Sequence, residues 1–303
     1  MLDVHRLVLL REVQLHGSIT AAARALSYSH SAVSQQLSLL EKEAGVLLLE
    51  KVGRGVKLTP AAQNLVRRAE DILAILERAE SDLANSDTAV RGTVRLAAFT
   101  TISRSVVPEV IATLQQQHPE LDVRYQQAEP ETGLPLLSSR RIDVLVADSY
   151  PGTSVAVPAE LHADLLLRDP IRAYLPVGTE IGSIGALRSL RWVSYPTNTE
   201  AYAWARALCQ RHGFEPDVAY ESADLLFHLR LVRAGLAAAF LPDLLVDDLG
   251  AGPVPTNLID TQQYRHISLL CRAGSEQRPS IVACREAFVH HLTSGGGGSA
   301  VRS

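Results

Sequence analysis

Residues 17–59 read GSITAAARALSYSHSAVSQQLSLLEKEAGVLLLEKVGRGVKLT. Ser18 follows Gly17 and can cap a helix, its hydroxyl accepting from an orphan backbone N–H. Ile19, Ala22, Ala23 and Leu26 then recur at i, i+3, i+4, i+7 and give one buried stripe. Ser27-Tyr28-Ser29 is a poor helical tripeptide and a good turn with a new cap, so the first helix is short. A second helix is expected from His30. Its Val33, Leu37 and Leu40 lie within about 40° of one another on a helical wheel. The opposite face holds Ser31, Ser34, Gln35, Ser38 and Lys42. Two short helices with a tight connection make a helix-turn-helix at about residues 19–38. The second helix presents hydroxyls and an amide that can approach base edges, with charge at its flank for phosphates. The competing reading is a solvated helix surface. Such surfaces usually carry Glu and Lys at i,i+4, and serine is a weak choice for helix stability.

After Gly45, a run of Val and Leu leads into Glu50-Lys51-Val52-Gly53-Arg54-Gly55-Val56-Lys57-Leu58. Gly53 and Gly55 allow a two-stranded turn with Arg54 at its tip and Lys51 and Lys57 flanking. A basic hairpin after a helix-turn-helix is a wing whose cations can contact phosphate or minor groove. The candidate DNA-binding set is therefore Ser29, His30, Ser31, Ser34, Gln35, Ser38, Lys42, Lys51, Arg54 and Lys57. Charge agrees with this placement. The chain carries −4 overall, which excludes a general polyanion binder, but residues 1–60 carry +2 and contain every lysine.

The whole of residues 17–59 resembles the LysR-type transcriptional regulators. The shared pattern comprises Gly-Ser, paired alanines, a serine-rich second helix, Leu-Glu-x-x-x-Gly and a Gly-rich wing ending Leu-Thr. Departures fall at Ser31, Gln35, Leu49 and Lys51, where family members often carry Pro, Arg, Phe and Arg. The resemblance implies a DNA-binding regulator whose promoter binding or activation answers to a small effector. It also implies double-stranded promoter DNA as partner, a dimer or tetramer, and contact with RNA polymerase where the protein activates.

Residues 60–88 read as one long helix. Thr59 can cap it and Pro60 suits its first position. Leu65, Ala69, Ile72, Leu76, Ala79 and Leu83 alternate at spacings of three and four, an a/d seam that argues for helix pairing, the competing reading being a helix packed on its own domain. The family uses its linker helix for dimerisation.

Residues 89–293 alternate strand and helix, which implies an α/β domain with helices on both faces of the sheet. Strands are expected at 93–99, 121–126, 142–147, 172–175, 191–194, 218–220, 236–240 and 266–271. Helices are expected at 106–118, 134–140, 200–212, 223–234 and 280–292. The resemblance implies a periplasmic-binding-protein-like effector domain of two lobes, with the chain crossing between them twice. The segment at 232–243, VRAGLAAAFLPD, matches a family pattern with Ala237 for its second Gly. Residues 294–303 form a flexible Gly/Ser tail.

Ligands in open sheets sit at the carboxyl ends of strands near helix N-termini. Thr100, Thr101 and Ser103 follow the first strand, and Thr197, Asn198 and Thr199 precede a helix. Both clusters can offer hydroxyls and backbone N–H groups to a carboxylate, which points to an organic acid. Plain N-capping is the competing reading of each residue.

The sequence contains no HExxH, GxSxG, P-loop or GxGxxG, so no catalytic centre, cofactor or metal site is expected. Cys209, Cys271 and Cys284 form no CxxC, which excludes a disulfide scaffold and a cysteine zinc module. No apolar run nears the ~20 residues of a membrane span, and no signal-peptide pattern opens the chain. The expected location is the cytoplasm, on the nucleoid. The alternative function is a small-molecule-binding α/β protein or enzyme whose N-terminal segment is only an interaction module.

Overall fold

The computed structural model describes residues 1–26, 28–52, 55–85, 89–152, 158, 160–179, 181, 183–248, 253–256 and 263–294. The expected flexible tail lies outside them, apart from its first residue.

Helix α1 (Val4–His16) is capped by Asp3, whose carboxylate accepts the Arg6 N–H at 3.1 Å. Helix α2 (Ile19–Ala25) is capped by Ser18 and α3 (His30–Ala44) by Ser29, each hydroxyl accepting a backbone N–H at 3.1 Å. Ile19, Ala22 and Ala23 meet Val33, Leu37 and Leu40 in one core closed by Leu10 and Val13 of α1. Gly45 ends α3 at φ 68°, a left-handed conformation a side chain would strain. The Glu41 carboxylate then accepts the N–H groups of Leu48 and Leu49 at 2.8 and 3.1 Å, fixing where the wing leaves the helix. The wing pairs β1 (Leu49–Val52) with β2 (Gly55–Leu58) antiparallel, Leu49 facing Leu58 and Val52 facing Gly55. Gly53 and Arg54, expected at its tip, lie outside the described residues.

Thr59 donates to the Leu47 carbonyl and accepts the Ala62 N–H, joining the wing to helix α4 (Pro60–Asn85). Two stripes run along α4, about 100° apart. Ala62, Val66 and Ala69 pack into the core of the N-terminal domain, and Leu73, Glu77 and Ser81 continue that stripe against the following domain. Ile72, Ile75, Leu76 and Leu83 form the other stripe and are exposed. The expected seam mixed the two stripes. Ala69 is 1% exposed and is an intramolecular packing residue, not part of the exposed seam.

The second domain opens with β3 (Gly92–Ala98), α5 (Thr100–Ser105), α6 (Val107–Gln117), β4 (Leu121–Gln127), α7 (Pro130–Ser138) and β5 (Val144–Ser149). After β6 (Leu161–Tyr174) and a 3₁₀ turn (Ile184–Ser189) come β7 (Arg191–Ser194), α8 (Glu200–Arg211), β8 (Asp217–Glu221) and α9 (Leu225–Arg233). The chain continues through β9 (Ala239–Pro242), α10 (Asp243–Asp248), β10 (Gln263–Arg272) and α11 (Pro279–Ser294). The main sheet runs β4-β3-β5-β10-β6-β9, with β7 and β8 paired in a second sheet. Strand β3 is parallel to both neighbours, as βα crossovers require. Strand β6 pairs with β10 along most of its length and with β9 at its end, so these long antiparallel strands carry the chain between two lobes. The first lobe buries Val94, Leu96, Val144, Val146, Ile281 and Phe288. The second buries Trp192, Trp204, Leu208 and Phe214.

Three local expectations change. Strand β6 begins at Leu161 rather than 172, because its Asp and Pro residues mask its alternation; Pro170 faces Tyr264 across the ladder. Helix α7 begins at Pro130, a favourable first position, and carries Pro135 inside. Helices α5 and α10, each six residues, are too short to show periodicity.

A buried charge network docks α4 on the second domain. Arg272 donates to Glu77 at 2.6 Å, to Asp143 at 3.0 Å and to the Ile142 carbonyl at 2.7 Å, and Arg140 reaches Glu77 at 3.0 Å. Gly274 lets the helix approach: a Cβ there would sit 2.4 Å from the Ala74 carbonyl oxygen. The Arg11 guanidinium of α1 donates to the Ser138 carbonyl, a second tie between the domains.

Candidate DNA interface and effector cleft

Helix α3 buries Val33, Leu37 and Leu40 and turns its other face outward. On that face Ser31, Gln35, Ser38 and Lys42 are exposed and Ser34 is half-buried. Ser29 and His30 are exposed at the helix start, where the Ser29 hydroxyl caps the helix and lies 3.1 Å from that of Ser31. Lys51 and Lys57 are exposed on the wing. Arg54 falls outside the described residues. Gln36, which the sequence reading did not single out, accepts from Arg6, and Arg6 also pairs with Glu43. These bonds fix α3 against α1 and leave the neighbouring Gln35 outward.

A cavity of about 410 Å³ lies between the lobes of the second domain. That is within the usual range for small-molecule sites. The first lobe contributes Phe99, Thr100, Thr101, Glu129, Leu134, Asp148 and Ser268 to its walls. The second contributes Tyr195, Asn198, Thr199, Glu200, Ala223 and Leu225. Of the six candidate effector residues, Thr100, Thr101, Asn198 and Thr199 line it. Ser103 does not: its hydroxyl donates to the Phe99 carbonyl at 2.7 Å and accepts from Tyr125. Thr197 is exposed outside the lining.

The lining hydroxyls differ in availability. Thr100 donates to Glu129 at 2.6 Å through its hydroxyl and at 3.1 Å through its backbone N–H. Thr199 caps α8, accepting the Tyr202 N–H and donating to the Pro196 carbonyl. Thr101, Ser149, Asn198 and Ser268 make no side-chain hydrogen bond among the described residues and remain open to a ligand.

Beneath the cleft, Arg265 is 1% exposed and bonds Asp169 at 2.8 Å and Asp148 at 3.1 Å. Burial alone would push the guanidinium down, but the surrounding Asp169, Tyr150 and Asp148 raise it, so it stays charged. Burial also raises Tyr150 and Tyr195, which keep their protons, and the Tyr150 hydroxyl donates to Asp148 at 3.4 Å. Neither Arg265 nor the tyrosines were singled out in the sequence, because the arginine that joins them lies 96 and 117 residues from its carboxylate partners.

All three cysteines are buried. Burial pushes Cys209 and Cys284 up to about 12 and Cys271 up to about 11, so none is a thiolate near neutrality. No group of three or more metal-ligating side chains occurs among the described residues. Among them, no helix is long and apolar enough to cross a membrane.

A winged helix-turn-helix joined by a long helix to a two-lobed, cleft-bearing α/β domain defines a ligand-responsive DNA-binding regulator. Residues 4–63 match the model of the bacterial regulatory helix-turn-helix proteins of the lysR family, and residues 87–293 match the LysR substrate binding domain. The chain belongs to the LysR family of transcriptional regulators, which are effector-modulated DNA-binding proteins and not enzymes. It is 25% identical to the transcriptional dual regulator GltC of Bacillus subtilis, over 70% of this chain and 71% of that one. It is 24% identical to the DNA-binding transcriptional dual regulator OxyR of Escherichia coli, over 94% and 93%. The solved full-length BenM has the same fold at a TM-score of 0.55 and 20% identity, covering 97% of each chain.

Proposed function

We propose that α3 enters the major groove and reads base edges through Ser34, Gln35 and Ser38, with Ser29, His30, Ser31 and Lys42 at its borders. Lys51, Arg54 and Lys57 of the wing then neutralise phosphates. The observation that carries this reading is an outward helix face with no charge before Lys42, opposite a fully buried apolar stripe. Small polar groups that serve no local bond suit base-edge contact better than solvent. The exposed stripe of Ile72, Leu76 and Leu83 pairs with a second copy, so that two such helices meet a pseudo-palindromic promoter. Leu65 and Ala79 flank it. A small effector in the inter-lobe cavity changes the lobe arrangement and with it the spacing of the DNA-binding pairs. Where the bound protein activates, it contacts RNA polymerase. Binding to chromosomal DNA places it in the cytoplasm, on the nucleoid.

The test is a footprint on the promoter selected by the wild type, repeated with Ser34→Ala and Gln35→Ala. Each variant is expected to lose about 1–3 kcal/mol of discrimination between that promoter and random DNA. Equal losses on both DNAs would show that these side chains do not read sequence.

A further inference from the structure

Four helices begin at the inter-lobe cleft, and each has a carboxylate of the chain itself near its start. Glu129 takes the Thr100 N–H and hydroxyl at the start of α5. It also immediately precedes α7, and Glu131 lies in the first turn of that helix. Glu200 lies in the first turn of α8. Asp224 caps α9, its carboxylate accepting the Leu226 N–H at 3.0 Å. A helix N-terminus attracts an anion through its unpaired N–H groups and its dipole. At the starts of α5 and α9 those positions are filled from within.

The walls carry Glu129, Glu131, Asp148 and Glu200, and among the described residues none of the lining is Lys, Arg or His. Arg265 neutralises Asp148 from beneath, and its own charge is already shared with Asp169. Glu129 and Glu131 therefore face the cavity with no lining cation among the described residues. The rest of the wall is mainly hydrocarbon and aromatic: Phe99, Leu134, Tyr150, Ala201, Leu225 and Leu270. An anionic effector would enter a field of its own sign with no guanidinium or ammonium to receive it. A cation gains from the same field, more so because apolar walls weaken screening.

We propose that the effector of this protein is a cationic small molecule with a largely hydrocarbon body, a protonated amine rather than an organic acid. This rests on the reading of the inter-lobe cavity as the effector site. The ammonium faces Glu129 and Glu131 at the rim, the hydrocarbon lies on Leu134, Leu225 and Leu270, and the open groups of Thr101, Asn198, Ser149 and Ser268 hold any neutral polar substituents.

The test titrates the full-length protein with three probes of one shape and three charges: benzylammonium, benzyl alcohol and benzoate. Calorimetry up to about 10 mM probe covers the millimolar affinities that such small ligands reach. Benzylammonium is expected to bind about tenfold more tightly than benzoate, with benzyl alcohol between, and the preference should shrink as salt rises. Glu129→Gln combined with Glu131→Gln keeps an acceptor for the Thr100 N–H while removing two charges, and should bring the three affinities within about threefold. Benzoate binding as tightly as benzylammonium, or no binding by any probe, overturns the proposal. Ala223→Trp, at an exposed position on the cavity wall, separates the two readings. Benzylammonium binding that survives this substitution overturns the cavity reading itself, and the present inference with it. Benzoate-preferring binding that the substitution abolishes leaves the cavity reading standing and overturns only the charge class.

Discussion

Helix α3 and the inter-lobe cleft present the same kinds of side chain, hydroxyls and amides, in opposite conditions. On α3, Ser34, Gln35 and Ser38 sit mid-helix on an outward face, where the backbone is already hydrogen-bonded along the helix and leaves them for a partner. In the cleft, Thr100 and Thr199 sit at helix starts, where orphan N–H groups and nearby acceptors engage them first. Position within the helix decides whether a hydroxyl supports the fold or meets a ligand. Composition alone does not.

The strongest test of this contrast is its stability consequence. Arg265→Ala leaves Asp148 and Asp169 buried without their cation, and removing one partner of such a network typically costs about 3–5 kcal/mol. Ser34→Ala and Gln35→Ala touch nothing buried and should stay within about 0.5 kcal/mol of wild type. Urea unfolding of the three variants checks both statements. Burial already raises the carboxyls of Asp148 and Asp169 against the pull of Arg265. Without the arginine they rise further, so the folded state binds more protons than the unfolded one between about pH 4 and the raised values. Stability of Arg265→Ala should therefore recover relative to wild type as pH falls from 7 toward 5. A deficit that grows on acidification would mean that these carboxylates are not what the arginine holds.

The linker helix sets the next comparison, between its inward and outward stripes. Leu76→Glu with Leu83→Glu charges only exposed positions, so the monomer should fold with an unchanged melting curve. Promoter affinity should fall by on the order of 10²-fold, because two half-sites would no longer be held by one linked dimer. Sedimentation together with a binding titration reads both effects. A variant that stays dimeric and binds normally would move self-association to the effector domains.

How much the sequence discloses follows the same division. The DNA-binding half is legible because its signals are local. Ser18 and Ser29 cap helices one residue on, Glu41 bonds Leu48 and Leu49 seven and eight residues away, and Thr59 closes the wing on Leu47. Each motif in residues 17–59 thus has its partner within a few turns of chain. The cleft is built from separated segments that include those around Phe99, Glu129, Asp148, Tyr195, Ala223 and Ser268. Strand–helix alternation gives the lobes and points to Thr101 and Asn198. It does not show that Glu129 covers Thr100, or that Arg265 reaches Asp148 across 117 residues. Along α4, periodicity finds the apolar stripe, but the inward stripe passes from Leu73 to Glu77 and Ser81, which look solvent-facing until Arg272 and Gly274 meet them.

Within the cleft, two threonines sharpen the contrast at smaller magnitude. Thr199→Val removes a cap and should cost about 1 kcal/mol in thermal unfolding. Thr101→Val removes a hydroxyl that bonds no described residue, so stability should hardly change, while effector-dependent change in the promoter footprint should be lost. The reverse pattern would exchange their assignments and make Thr101 the structural residue.

The smallest expected effects lie on the wing, where geometry separates two lysines that composition treats alike. Lys51 faces Val56 across the hairpin, whereas Lys57 faces Glu50. Directly opposed residues on a two-stranded ribbon interact, so part of the Lys57 charge is already answered within the wing. Lys51→Ala should therefore lower the slope of log affinity against log salt by about 0.9, the value for one phosphate contact, and Lys57→Ala by less. Glu50→Gln removes an anion opposite Lys57, so it should strengthen binding to promoter and random DNA alike by about twofold at low salt, and by less as salt screens it. Because the change is blind to sequence, it must leave the ratio of the two affinities where it was. A gain confined to the promoter would place Glu50 among the groups that read bases, and the wing could no longer be treated as a sequence-independent clamp beside a reading helix.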